Sequence, residues 1–215
     1  MSANEIVCVC FIAIGFIGVI IAIANPAWEK SDLQSLATPT SQKYKGLWLS
    51  CKSDSSIRVS CWPYIGFFAG IDVKIQAARA CCIAALAFSL FSLILCLISV
   101  TGMPCANEYE STRNRIRLAG SGLGFAGGLC MVVGASWYAA STLNEYYRLV
   151  ATNPGSERLV IGVGVFIAWG AGLFLNIGGI FGACISCRNE EDDVREMPRR
   201  MVTSGHIRGI EKEYV

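Results

Sequence analysis

Cys51 and Cys61 stand ten positions apart in a polar stretch, and two thiols at that spacing would close a disulfide-braced loop. Such a bond persists in oxidising surroundings, so the pair places its segment on the outer side of a membrane. The other nine cysteines fall in or beside apolar runs, where Cys behaves as a small apolar residue. Little else has the makings of a reaction centre. His206, the single histidine, lies near the C-terminus, and no Ser/His/Asp, Cys/His, paired-carboxylate, metal-ligand or phosphate-loop constellation is visible. The reading is no enzyme, no cofactor and no protein-bound metal.

The elements that must position these residues are four stretches without Asp, Glu, Lys or Arg: residues 6–28, 80–107, 118–144 and 159–187. A hydrocarbon core about 30 Å thick needs roughly 20 helical residues to cross, and each stretch is longer. Spans are therefore placed at about 6–26, 76–103, 117–140 and 159–185, with outer loops over 27–75 and 141–158 and a polar tail over 188–215, expected to be disordered. Composition agrees: 53% hydrophobic residues, 16% charged and a mean hydropathy of +0.49 are too apolar for an ordinary soluble domain. A net charge of +2 without a basic, aromatic-interleaved stripe sets nucleic acid aside. The first run has no Lys or Arg before it and exceeds a secretory h-region, so it reads as a retained span.

The span interiors lack ionisable carboxylates, amines and guanidinium groups, which argues against a transporter or a pore through the bundle. Gly120, Gly124 and Gly128, then Gly178 and Gly182, have the spacing that lets helices approach closely; they read as packing within one bundle. Asn176 reads as an interhelical hydrogen bonder. An even number of spans puts both termini on one side, and the cysteine pair makes that side cytoplasmic. Arg113, Arg115 and Arg117 in the short inner connection agree with the positive-inside bias, while Lys43, Lys45, Lys52, Arg58 and Lys74 in the long outer loop do not. Cys105, Cys184 and Cys187 then lie at cytoplasmic span ends, as candidates for S-palmitoylation.

The outer loop after the first span is rich in β-formers. Tyr44–Cys51 and Ile57–Tyr64 read as two strands around a turn at Ser53-Asp54-Ser55-Ser56. A Cys51–Cys61 bond would staple that hairpin, contributing somewhat under ~3 kcal/mol on a chain-entropy estimate. Trp28 and Trp48 read as anchors at the membrane–water boundary, and Arg79 as a partner for a loop carbonyl or carboxylate. The second outer segment reads as an extension of the third helix that then turns at Thr152-Asn153-Pro154-Gly155.

Trp28, then Gly46-Leu47-Trp48, then Cys51 and Cys61, all in the first outer loop of a four-span chain, resemble the claudin signature. The likeness continues through Gln76-Ala77-Ala78-Arg79-Ala80, Gly102-Met103-x-Cys105, Trp137-Tyr138, Tyr146-Tyr147 and the terminal Tyr214-Val215, so it covers almost the whole chain. Relatives often carry Cys at position 78 and Pro at position 149, where Ala78 and Leu149 stand here. The resemblance implies a left-handed all-α four-helix membrane bundle carrying a small extracellular antiparallel β-sheet. It implies a structural tight-junction protein of the plasma membrane, polymerising with other claudin-like chains in cis and trans within membrane lipid, as a paracellular barrier or as charge-selective pores between cells.

Particular residues follow from that likeness. Asp54, three after the first cysteine, resembles a pore-facing Asp of cation-selective members, since a carboxylate ring attracts cations. Lys52 and Arg58 join it as selectivity candidates, because the segment 27–78 holds six basic residues against four acidic ones, or +2, a balance that leans toward anions. Tyr146 and Tyr147 are candidates for strand assembly or contact across the cleft. Tyr214-Val215 has the form of a PDZ ligand, whose carboxylate and buried valine would engage a junctional scaffold. The alternative is an auxiliary subunit or trafficking partner of an ion channel or receptor in the wider four-span superfamily; the roughly fifty-residue first loop and the Tyr-Val ending favour the junctional reading.

Overall fold

The computed structural model describes residues 3–32, 41–54, 58–64, 71–101, 110–153 and 156–213; at Ala3, Ser41, Asp54, Thr101, Glu110 and Ser111 and over 189–213 it describes the backbone. Four helices form the bundle: α1 (Ala3–Ala24), α2 (Val73–Thr101), α3 (Glu110–Thr152) and α4 (Val163–Glu213). Each contains a segment long and apolar enough to cross a membrane: Asn4–Ala24, Val73–Val100, Thr112–Thr152 and Val163–Arg188. Apolar side chains cover both sides of these helices. One stripe, including Ile12, Val19, Ala85, Met131, Ala168 and Leu175, is buried between helices, while Ile17, Phe91, Val133 and Phe166 stay exposed where lipid belongs. The small residues of α3 and α4 meet partners inside the bundle: a methyl on Gly124 would touch Ser92, and one on Gly182 would meet Cys8 and Ser121.

The outer segments form one five-stranded antiparallel sheet in the order β4-β3-β2-β1-β5. Its strands are β1 (Glu29–Ser31), β2 (Ser41–Lys45), β3 (Leu49–Asp54), β4 (Val59–Pro63) and β5 (Leu159–Ile161). Several expectations change here. Tyr44–Cys51 is not one strand: the chain turns at Gly46-Leu47-Trp48, where Gly46 N–H donates to the Leu49 carbonyl at 2.9 Å. Glycine is required there because a Cβ would lie 2.7 Å from Pro26 Cα. Ser53 and Asp54 belong to β3 rather than to the turn, and β3 and β4 pair through Ser53↔Val59.

The fourth apolar stretch does not begin as helix. Leu159–Ile161 pair with β1 instead, and the helix starts at Val163. Gly162 makes the transition, since its backbone passes so near Ala27 that a Cβ would overlap the Ala27 carbonyl oxygen. The chain beyond Arg188 continues α4 as helix to Glu213, where the sequence reading expected disorder. Glu191 with Arg195, and Glu196 with Arg200, have the acid-before-base spacing of four that supports a helix.

Candidate functional site

The site is the outer lobe and its seat on the bundle. Trp28 forms the base of that seat. It is fully buried, donates from Nε1 to the Ala22 carbonyl at 2.8 Å and meets the Tyr138 ring edge-on at 5.2 Å between centroids. It sits as a buried residue between the end of α1 and Tyr138, because its N–H caps the last turn of α1 and the ring is left to pack inward. Leu47 is buried beside it, at the turn between β2 and β3. Arg79 on α2 is buried below that turn and donates from Nε to the Leu47 carbonyl at 2.8 Å. Its guanidinium lies 4.7 Å from the Trp48 ring centroid and 5.6 Å from that of Tyr64. Tyr64 in turn donates to the Gly46 carbonyl at 3.3 Å, and burial beside the Glu29 carboxylate pushes its phenol up to about 12.

A charged knot that sequence reasoning missed ties the sheet to the helices. Lys74 Nζ donates to Glu29 Oε1 and to Glu145 Oε2, each at 2.7 Å, and Thr142 Oγ1 donates to Glu29 Oε1 at 2.6 Å. Glu29 is 0% exposed and Lys74 8%, while Glu145 is half in solvent. Burial in β1 alternates buried–exposed–buried, which turns Glu29 and Ser31 inward and Lys30 outward, and a strand of three residues gives no sequence signal for it. Glu29 and Lys74 therefore leave the sum of exposed loop charges.

The second outer segment joins the first. Lys43 makes a salt bridge to Glu157, and Lys43 N–H donates to Ser31 Oγ at 2.9 Å. Tyr146 Oη donates to Asp32 Oδ2 at 3.3 Å and stacks edge-on with Tyr147, and the Arg158 guanidinium lies 5.8 Å from the Tyr146 ring. A pocket of about 210 Å³ opens between β2, β5 and the outer end of α3, lined by Lys43, Lys45, Glu145, Tyr146, Glu157 and Leu159 among others.

The predicted residues are distributed unevenly over this lobe. Cys51 and Cys61 lie opposite each other on β3 and β4 and are joined by a disulfide. Lys52 is exposed on β3 and Arg58 is exposed just before β4. Asp54 closes β3, in register with Ser41. Tyr147 is 66% exposed, whereas Tyr146 is partly buried against the lobe, so the two tyrosines face different surroundings. Cys184 and Cys187 are exposed on α4. Cys105, Tyr214 and Val215 lie outside the described residues. In the bundle, Asn176 lies against Gly128, and its Oδ1 has no hydrogen-bond partner there.

At the opposite end of the bundle the spans are not free of charge. Glu5 and Arg117, both buried, form a salt bridge between α1 and α3, and Arg113 reaches the same carboxylate at 3.5 Å. These residues sit at the edges of the apolar stretches: Glu5 just before the first, Arg117 at the start of the third.

Comparison with known proteins finds a match to the model of the PMP-22/EMP/MP20/Claudin family over residues 3–182. Claudin-19 of Homo sapiens is 31% identical over 195 residues, covering 88% of this chain and 84% of that protein. Claudin-7-A of Danio rerio is 30% identical over 204 residues, covering 94% and 93%. Claudin-5 of Mus musculus is 29% identical over 186 residues, covering 85% and 83%.

Proposed function

The chain belongs to the PMP-22/EMP/MP20/Claudin family, and from that premise we propose that it is a claudin-type structural protein of tight junctions whose outer lobes polymerise and control passage between adjacent cells. The observation that carries this reading is the seat of the lobe. Trp28, Leu47, Ile75 and Tyr138 are buried where sheet meets bundle, and Ile12, Ala85, Met131 and Leu175 are buried between the helices below them. A protein built so acts on what lies beside and above it, between cells, and not by passing solutes through itself.

In this reading the lobe is extracellular, the termini are cytoplasmic, and neighbouring claudin-like chains are its partners in cis and trans. Lys52, Asp54 and Arg58, near the β3–β4 end of the sheet, set the charge preference of the intercellular path. The exposed Tyr147 contacts a neighbouring lobe, the Tyr214-Val215 terminus engages a PDZ scaffold, and Cys105, Cys184 and Cys187 carry acyl chains. Expression in cells that lack tight junctions tests the core of the proposal. Continuous intramembrane strands seen by freeze-fracture are the expected result; dispersed particles, with the chain at the surface, would instead favour an auxiliary subunit.

A further inference from the structure

The first outer loop has been treated as the seat of selectivity, but its charge is set in part from the other segment. Lys43 on β2 lies directly opposite Lys52 on β3, so the two side chains issue on one face of the sheet. Directly opposed like charges repel, with Cβ atoms about 5 Å apart. Lys43 is drawn away by Glu157, which precedes β5 and reaches across to it in a salt bridge. Both members stay partly solvated, with 44% and 32% of their side chains exposed, so their charges act on the surrounding water as well as on each other. Asp54 is two residues beyond Lys52 on the same strand. The β2–β3 ladder thus sets two lysines opposite each other, and Glu157 decides whether one of them is balanced.

We propose that Glu157 is a selectivity-determining residue that neutralises Lys43 and so keeps the β2–β3 face permissive to cations. This inference rests on the reading of the chain as a paracellular claudin and deepens it. Loss of Glu157 leaves Lys43 and Lys52 as adjacent uncompensated cations, and the path beside them turns toward anions. Loss of Lys43 acts in the opposite sense. At the roughly 8 Å screening length of physiological saline, one charge at this range alters the ratio of cation to anion permeability about twofold.

The test is the dilution potential across monolayers expressing the full chain, Glu157→Gln, Lys43→Gln or the double variant, each at matched junctional abundance. The ratio should fall about twofold in Glu157→Gln, rise in Lys43→Gln and return near the parent in the double variant. A bridge that only held the two segments together would shift both single variants in one direction, with the double no better than either; that outcome, or no shift at all, overturns the proposal while leaving the paracellular reading intact. A parent chain whose monolayers match those without it overturns the paracellular pore, and this inference with it.

Discussion

At the sheet end of the bundle one lysine is buried between two carboxylates; at the opposite end two arginines crowd one glutamate. The two clusters differ in what they join. Glu29, Lys74, Glu145 and Thr142 come from β1, α2 and α3, so their hydrogen bonds fix a strand to two helices. Glu5 and Arg117 join α1 to α3, and Arg117 Nε and Nη1 have no hydrogen-bond partner there. Burying a charge costs several kcal/mol unless a partner and further hydrogen bonds offset it, so such groups contribute more to geometry than to net stability. Glu29 Oε2 is likewise without a hydrogen-bond partner, so the difference lies in what is joined: the sheet-end cluster ties a strand to two helices.

That contrast can be broken from either side, and the largest effect is expected at Lys74. Lys74→Ala leaves Glu29 buried without its cation and should cost about 3–5 kcal/mol, read as thermal unfolding of the purified protein in detergent. The double variant Glu29→Gln/Lys74→Met should recover much of the loss; a double as damaged as the single would show that packing, not charge, holds the joint. Replacing Cys51 and Cys61 by Ser should cost about 3 kcal/mol by chain entropy and act on the lobe, visible as faster proteolysis there with the spans still protected.

Glu5→Gln should cost less, about 2 kcal/mol, because the amide oxygen can still accept from the buried Arg117 while Arg113, 36% exposed, keeps contact with water. It should also leave the reduction rate of the cystine unchanged, whereas Lys74→Ala should raise it. Equal responses would remove the distinction between the two ends. Arg79→Lys forfeits the Nε bond to Leu47 and the planar stacking on Trp48 and Tyr64, for about 1–2 kcal/mol.

At ordinary pH the smallest effect is that of Tyr64, which shows only on alkaline titration. The Tyr64 phenol, pushed up to about 12 from an ordinary value of 10, holds its proton more tightly in the folded protein. Its contribution is therefore intact below about pH 10 and is lost as pH rises toward 12. Stability measured across that window should fall less steeply in Tyr64→Phe than in the parent; parallel curves would place the alkaline loss elsewhere.

The bundle was legible because long uncharged runs survive any local error, and the cystine because two cysteines stand alone in a polar loop. The sheet was only half legible. β4 carries Val59 and Trp62, whereas β3 (LSCKSD) has no β-branched or aromatic residue and was placed through its cysteine and its neighbours, and β1 and β5 are three residues each, too short for an alternation to register. Trp28 was placed at the membrane surface by a rule about tryptophans in general, while its own environment, the end of α1 and Tyr138, is created by the fold. The Glu29–Lys74 pair spans 45 positions and the Lys43–Glu157 pair 114. No local window relates residues so far apart, and so the charge sum over one loop treated engaged side chains as available.

The pairing of β1 with β5 has a consequence for biosynthesis. The first strand of the sheet emerges from the ribosome just after α1, but its outer neighbour, Leu159–Ile161, follows only after two more helices have been made. The β2–β3–β4 portion is complete in sequence before α2 is made, whereas β1 lacks the neighbour on its other flank until residues 159–161 follow α3.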